Sequence, residues 1–322
     1  MEKVSIIITF FKKNHILFSN KLFGDDAMKQ TVFTGSACAI ITPFDENRKV
    51  NYRNLRKLIE FQIKNGTDAI VVCGTTGEGS TLDNREHKQI IKSAVKQAEG
   101  RVPIIAGTGS NCTETAVRRS CAALDAGADA LLIVTPYYNK CSQQGLCEHY
   151  AYISDRVDLP IIVYNVPSRT GVNILPETYL ELSRINHVTA TKEANGDISA
   201  LAKTMSLCGD ALDVYCGNDD QSAAFAAMGA KGTISVLANI MPQEAHDIVI
   251  TALEGNNDLS VSLQMKYLRI CNDLFCDVNP IPVKYAMKKL GLDSGILRLP
   301  LNGPTDRNKE KIISTLKKYD LL

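Results

Sequence analysis

No stretch of 18 predominantly apolar residues occurs in the 322-residue chain, and the longest early run, Ser5 to Phe11, is too short to cross a bilayer. A membrane-spanning helix is excluded. Neither sign of charge dominates: 36 basic and 35 acidic side chains leave a formal net charge of +1, with no long basic run and no acidic tail. Binding to a phosphate backbone needs clustered positive charge, so nucleic acid is not an expected partner. The ten cysteines contain no CxxC pair and no zinc-type spacing, and the five histidines show no i,i+4 pair, so no metal site is expected. Several cysteines lie inside apolar runs such as Ile70 to Cys73 and read as reduced thiols of a cytoplasmic protein.

What is present is a repeating pattern. From Thr34 onward, short apolar runs alternate with longer helical ones. Eight candidate strands run over Gly35 to Thr42, Ala69 to Gly74, Pro103 to Gly107, Ala130 to Thr135, Pro160 to Asn165, Val188 to Glu193, Asp213 to Gly217 and Gly232 to Val236. Helical patterns lie between them at Tyr52 to Asn65, Asp83 to Glu99, Thr113 to Ala126, Gln143 to Arg156 and Gln221 to Met228. Gly66, Gly100, Gly127 and Gly229 follow four of these, where a left-handed residue ends a helix.

Strands buried on both faces, each covered by a helix, predict an α/β fold of the (β/α)8 TIM barrel type, which takes about 250 residues. A doubly wound sheet fits less well, because Thr42-Pro43-Phe44-Asp45 after the first strand has no phosphate-binding glycine. Further helical patterns at Gln243 to Leu253, Leu259 to Phe275, Val283 to Leu290 and Asp306 to Lys318 close the barrel and add a C-terminal helical appendage. The expected division is therefore 28–255 for the barrel and 256–322 for a helical region packed on it. Residues 1–27 lack this periodicity and read as a disordered extension or a mis-assigned start before Met28.

Barrel enzymes build their sites from the carboxyl ends of the strands. Those ends carry Gly74-Thr75-Thr76-Gly77-Glu78, Thr135-Pro136-Tyr137-Tyr138-Asn139, Tyr164 to Gly171, Lys192-Glu193 and Gly217-Asn218. Lys192 follows a strand of small and apolar residues, where desolvation would favour a neutral amine able to attack a ketone. In isolation it reads more readily as a lysine snorkelling to solvent, and the company of the other strand-end residues shifts that reading. Tyr164 could shuttle protons or simply be a half-buried tyrosine. The loop at Thr75 and Thr76 could cradle a small carboxylate. Arg169 offers a planar fork for a second carboxylate, or holds its own loop. Glu193, next to Lys192, faces the other side of its strand and reads as structural.

Five motifs occur in order: GTTGE (Gly74 to Glu78), TPYYN (Thr135 to Asn139), YNVPSRTG (Tyr164 to Gly171), KEANGD (Lys192 to Asp197) and NPIPVK (Asn279 to Lys284). Together they resemble the dihydrodipicolinate synthase family of pyruvate-dependent class I aldolases, from residue 31 to the C-terminus. The resemblance implies that Lys192 forms a Schiff base with pyruvate and that Tyr164 relays protons. Thr75 would link Tyr164 to Tyr138, the latter supplied by the neighbouring subunit of a tight dimer. Thr76 would hold the pyruvate carboxylate, Arg169 the carboxylate of L-aspartate 4-semialdehyde, and backbone groups of Gly217 and Ile234 would line the pocket. No cofactor beyond the covalent imine is implied. The expected product is 4-hydroxy-2,3,4,5-tetrahydrodipicolinate, on the diaminopimelate route to lysine, and the expected assembly is a homotetramer of two tight dimers. Another pyruvate-type aldolase, acting on 2-keto-3-deoxy sugar acids or N-acetylneuraminate, is the alternative, and Arg169 speaks against it. His87, Asn111 and Tyr137 match part of the lysine site of feedback-inhibited relatives. The acid expected at Thr115 stands one place away at Glu114, turned by about 100° on a helix, so weak or absent lysine inhibition is expected.

Overall fold

The computed structural model describes residues 30–322, so the reading of residues 1–27 lies outside the described residues. Eight parallel strands, β1 (Gly35–Ala39), β2 (Ala69–Val72), β3 (Ile104–Gly107), β4 (Ala130–Val134), β5 (Ile161–Asn165), β6 (Val188–Glu193), β7 (Asp213–Cys216) and β8 (Gly232–Ser235), form a closed barrel in sequential order. Closure comes from β1, which pairs in parallel with both β2 and β8. All eight strands expected from the sequence are present. The first stops earlier than its apolar pattern, because beyond Ala39 the chain leaves the sheet and Ile41 donates its N–H to the Asn239 side chain at 3.1 Å.

The covering helices are α1 (Tyr52–Lys64), α2 (Asn84–Ala98), α3 (Thr113–Asp125), α4 (Gln143–Ser154), α5 (Pro167–Thr170), α6 (Pro176–Ser183), α7 (Ile198–Cys208), α8 (Ser222–Ala227) and α9 (Pro242–Leu253). Capping explains several of their starts. The Asp83 side chain accepts from the Glu86 N–H at 2.8 Å and the Glu86 carboxylate accepts from the Asp83 N–H at 3.3 Å, a reciprocal capping box at α2. Gly66, Gly100, Gly127 and Gly229 all take positive φ at the helix ends anticipated for them. Helices α5 to α7 exceed the five patterns read from periodicity. The first of them is only four residues long, and both α5 and α6 begin at a proline.

Alternation along the strands separates two apolar layers. Ala37, Val71, Leu132, Ile162, Ala190 and Ile234 point into the barrel, while Cys38, Ile70, Leu131, Val163 and Val188 pack against the helices. Ahead of β1, Phe33 stacks on Tyr215 with ring centroids 4.2 Å apart and accepts the Tyr215 hydroxyl at 2.8 Å, filling the end where the strands begin. The opposite end stays open for chemistry.

Three more helices, α10 (Asn257–Asp273), α11 (Ile281–Lys289) and α12 (Asp306–Lys318), follow the barrel. Their region is tied to the loop after β2. Lys284 on α11 donates to Glu78 at 2.6 Å and to the Ile296 carbonyl at 2.7 Å, with both charged side chains fully buried. The second Glu78 oxygen accepts from the Arg298 N–H at 3.0 Å, and the Arg298 guanidinium grips Glu86 through two bonds of 2.6 and 2.7 Å. Both cations lie over the Phe44 ring, the Lys284 nitrogen 4.2 Å and the Arg298 guanidinium 4.4 Å from its centroid.

Candidate active site

Strand parity decides which way each residue of β6 faces. Ala190 lies in the interior layer, so Lys192 does too, and it is buried. On the neighbouring strand its register partner is Tyr164, whose ring centroid lies 4.5 Å from the Lys192 nitrogen. Burial, with a contribution from the Arg169 charge, pulls the Lys192 ammonium pKa down to about 8, against Asp219 and Cys216, which pull the other way. Glu193 faces outward instead. It accepts from Asn165 at 3.0 Å, from the Tyr179 hydroxyl at 2.7 Å and from the Asn195 N–H at 2.8 Å, which satisfies it without Lys192.

Room for the lysine depends on Gly217. A Cβ there would come within 2.7 Å of the Ala194 Cβ and 3.1 Å of the Lys192 Cε, so any side chain would displace the amine. Tyr164 is likewise buried. Desolvation raises its phenol pKa, while Arg169 and a hydrogen bond with Thr75 oppose the rise. Thr76 is buried beside Thr75 and accepts a hydrogen bond from the Asn279 side chain at 3.0 Å. Arg169, on α5, reaches the Asn279 carbonyl at 3.5 Å.

These residues share one cavity of about 180 Å³, lined by Thr75, Thr76, Tyr164, Arg169, Lys192 and Gly217 and closed on one side by Phe275 and Asn279. A second cavity of about 320 Å³ adjoins it through Thr75, Tyr164 and Arg169 and extends to Ser80, Arg119 and Tyr137. An amine of lowered pKa, a phenol, two hydroxyls and a guanidinium converging on a small space suit imine chemistry on a keto acid.

Not every residue singled out in the sequence joins this group. Tyr138 is 90% exposed, in a left-handed conformation with φ 71°, and lines neither cavity. Ile234 lies in the interior layer, and the cavity wall on that side is Val236. His87 is buried with its Nε2 2.8 Å from the Gly107 carbonyl, and burial lowers its pKa. The Asn111 carbonyl accepts from Asn139 at 2.9 Å. Of the three residues matched to a lysine site, only Tyr137 lines the larger cavity. Arg119 and Asn279 enter the cavities without having been anticipated as site residues. The NPIPVK motif pointed to the segment of Asn279, whereas Arg119 carried no signal beyond its place in an amphipathic helix. Among the described residues no group of three or more His, Cys, Asp or Glu is arranged to hold a metal ion, and no helix is long and apolar enough to cross a membrane.

The profile of the dihydrodipicolinate synthetase family matches residues 32–319. The chain belongs to that family. Membership makes it a lyase-type enzyme of the class I aldolase kind and agrees with the five collinear motifs. Among its relatives, a protein of Lachnoclostridium phytofermentans named 4-hydroxy-tetrahydrodipicolinate synthase is 50% identical over 292 residues, covering 90% of this chain and 99% of that one. A protein of the same name from Acetivibrio thermocellus is 48% identical over 295 residues, covering 92% of this chain and all of the other. Among solved structures of the family, dihydrodipicolinate synthase from Aquifex aeolicus superposes with a TM-score of 0.88 at 43% identity, covering 90% of this chain and 99% of that one.

Proposed function

We propose that the chain is a 4-hydroxy-tetrahydrodipicolinate synthase, which condenses pyruvate with L-aspartate 4-semialdehyde on the diaminopimelate route to lysine. The observation that carries the reading is the buried Lys192 amine facing Tyr164 inside a cavity that Arg169 borders. The names of the relatives support it. In this reading the barrel (28–255) carries the chemistry and the C-terminal region (256–322) completes the pocket.

The neutral Lys192 nitrogen attacks the pyruvate ketone, and loss of water gives the imine. Tyr164 supplies and recovers the protons that these steps move, with Thr75 as its hydrogen-bonded relay. Thr76 and the adjacent loop amides hold the pyruvate carboxylate. Loss of a methyl proton makes the enamine, whose carbon attacks the aldehyde of the second substrate while Arg169 holds that substrate's carboxylate. The amino group of the semialdehyde then displaces Lys192 and closes the ring. One water is released overall, no redox partner enters, and no cofactor beyond the imine is needed.

Exposure of Tyr138 supports its service to a neighbouring subunit's site in a homotetramer of tight dimers. The place of work is the cytoplasm, as the reduced cysteines suggest. Feedback by lysine is weak or absent, since Thr115 replaces the expected acid and receives a hydrogen bond from Arg118 at 2.8 Å. The test is a coupled assay with pyruvate and L-aspartate 4-semialdehyde, following NADPH consumption by a downstream reductase, with Lys192→Ala as control. Consumption that disappears in the variant is the expected result. No consumption, with pyruvate still trapped on Lys192 by borohydride, would transfer the chain to the sugar-acid aldolases.

A further inference from the structure

Asn279 is 94% buried by its 6% exposure, lies on the cavity that holds Lys192, and is separated from the β2 loop by some 200 residues of chain. Its Nδ2 donates to the Thr76 hydroxyl oxygen at 3.0 Å, while its Oδ1 is buried without a partner. A hydroxyl has a single proton. When Thr76 accepts from Asn279, that proton is free to point into the cavity. If the amide were reversed, Thr76 would donate to Asn279 and turn lone pairs toward any bound carboxylate.

We infer that Asn279 is a positioning residue that sets the polarity of the Thr76 hydroxyl and thereby selects a ketone bearing a carboxylate over a neutral one. The inference rests on the proposed role of Thr76 in holding pyruvate. Two restraints keep the pair in register. Lys284, five residues beyond Asn279, is bonded to Glu78, two residues beyond Thr76, so one buried ion pair fixes both segments. Arg169 contacts the Asn279 carbonyl, which joins the groups assigned to the two substrates' carboxylates through one residue.

The experiment traps the imine on the full-length protein with borohydride and reads adduct mass against ketone concentration, using pyruvate and its neutral methyl ester. Asn279→Asp presents only acceptors to Thr76, captures the hydroxyl proton and adds negative charge. Its half-saturating pyruvate concentration is expected to rise by about tenfold or more, the scale of a lost hydrogen bond to a charged group, with the value for methyl pyruvate nearly unchanged. Asn279→Ala, which frees the hydroxyl to rotate, should show a smaller shift in the same direction and guards against misfolding of the first variant. Equal shifts for both ketones, or a lower melting temperature with neither value moved, would mean that Asn279 only supports the fold and would overturn the inference. No adduct on the unsubstituted protein would overturn the synthase reading and this inference together.

Discussion

Lys192 and Tyr164 are register partners on adjacent strands, with the amine 4.5 Å from the center of the phenol ring. In the proposed mechanism, nucleophile and proton carrier are therefore set by two neighbouring strands rather than by loops, which preorganises their geometry. With the Lys192 pKa near 8, about one amine in ten is neutral at pH 7, against about one in three thousand at the ordinary value of 10.5. Imine trapping should therefore speed up roughly tenfold per pH unit below 8 and level off above it. A profile that keeps rising to pH 10 would show an unperturbed lysine. Tyr164→Phe should retain the inflection while slowing the step by about a hundredfold or more, the usual scale of general acid–base assistance.

The Glu78–Lys284 pair should behave as a buried ion pair. Glu78→Gln or Lys284→Met alone leaves an uncompensated buried charge and should cost about 3–5 kcal/mol. The double variant should cost less than the sum of the two. Denaturant unfolding at fixed protein concentration measures this, and additive losses would show that the two groups do not interact.

Tyr138 is exposed in its own subunit, so Tyr138→Ala should leave the subunit's stability within about 0.5 kcal/mol. Its activity should collapse all the same. Mixing that variant with Lys192→Ala, unfolding and refolding together, creates hybrid dimers with one complete site each, and about a quarter of the original turnover should return. Failure to recover any activity would place the Tyr138 function in its own chain.

Lysine should leave the initial rate unchanged at millimolar concentration. The larger cavity has Arg119 in its wall, His87 is locked to the Gly107 carbonyl, and Arg118 covers Thr115. A cation entering there meets like charge. Thr115→Glu combined with Arg119→Leu should create sensitivity, read as inhibition by added lysine, and strong inhibition of the unsubstituted protein would refute the charge argument.

Local pattern determined most of the scaffold. The eight strands, the glycine-ended helices and the inward parity of Lys192 follow from alternation, helical period and turn chemistry, all of which act over a few residues. The motif at each strand end followed from the same register. The short helices α5 and α6 were not legible, because four to eight residues starting at a proline show too little period. Contacts across the fold decided the rest. The sequence places Thr76 and Asn279 in separate motifs, and only closure of the barrel with α11 docked beside it makes them neighbours. Only burial in the folded barrel lowers the Lys192 pKa, because desolvation depends on everything that surrounds a group and not on its strand alone. Likewise, the interior face of a strand can be read from every second residue, but which distant side chain will share that interior depends on the three-dimensional path of the whole chain.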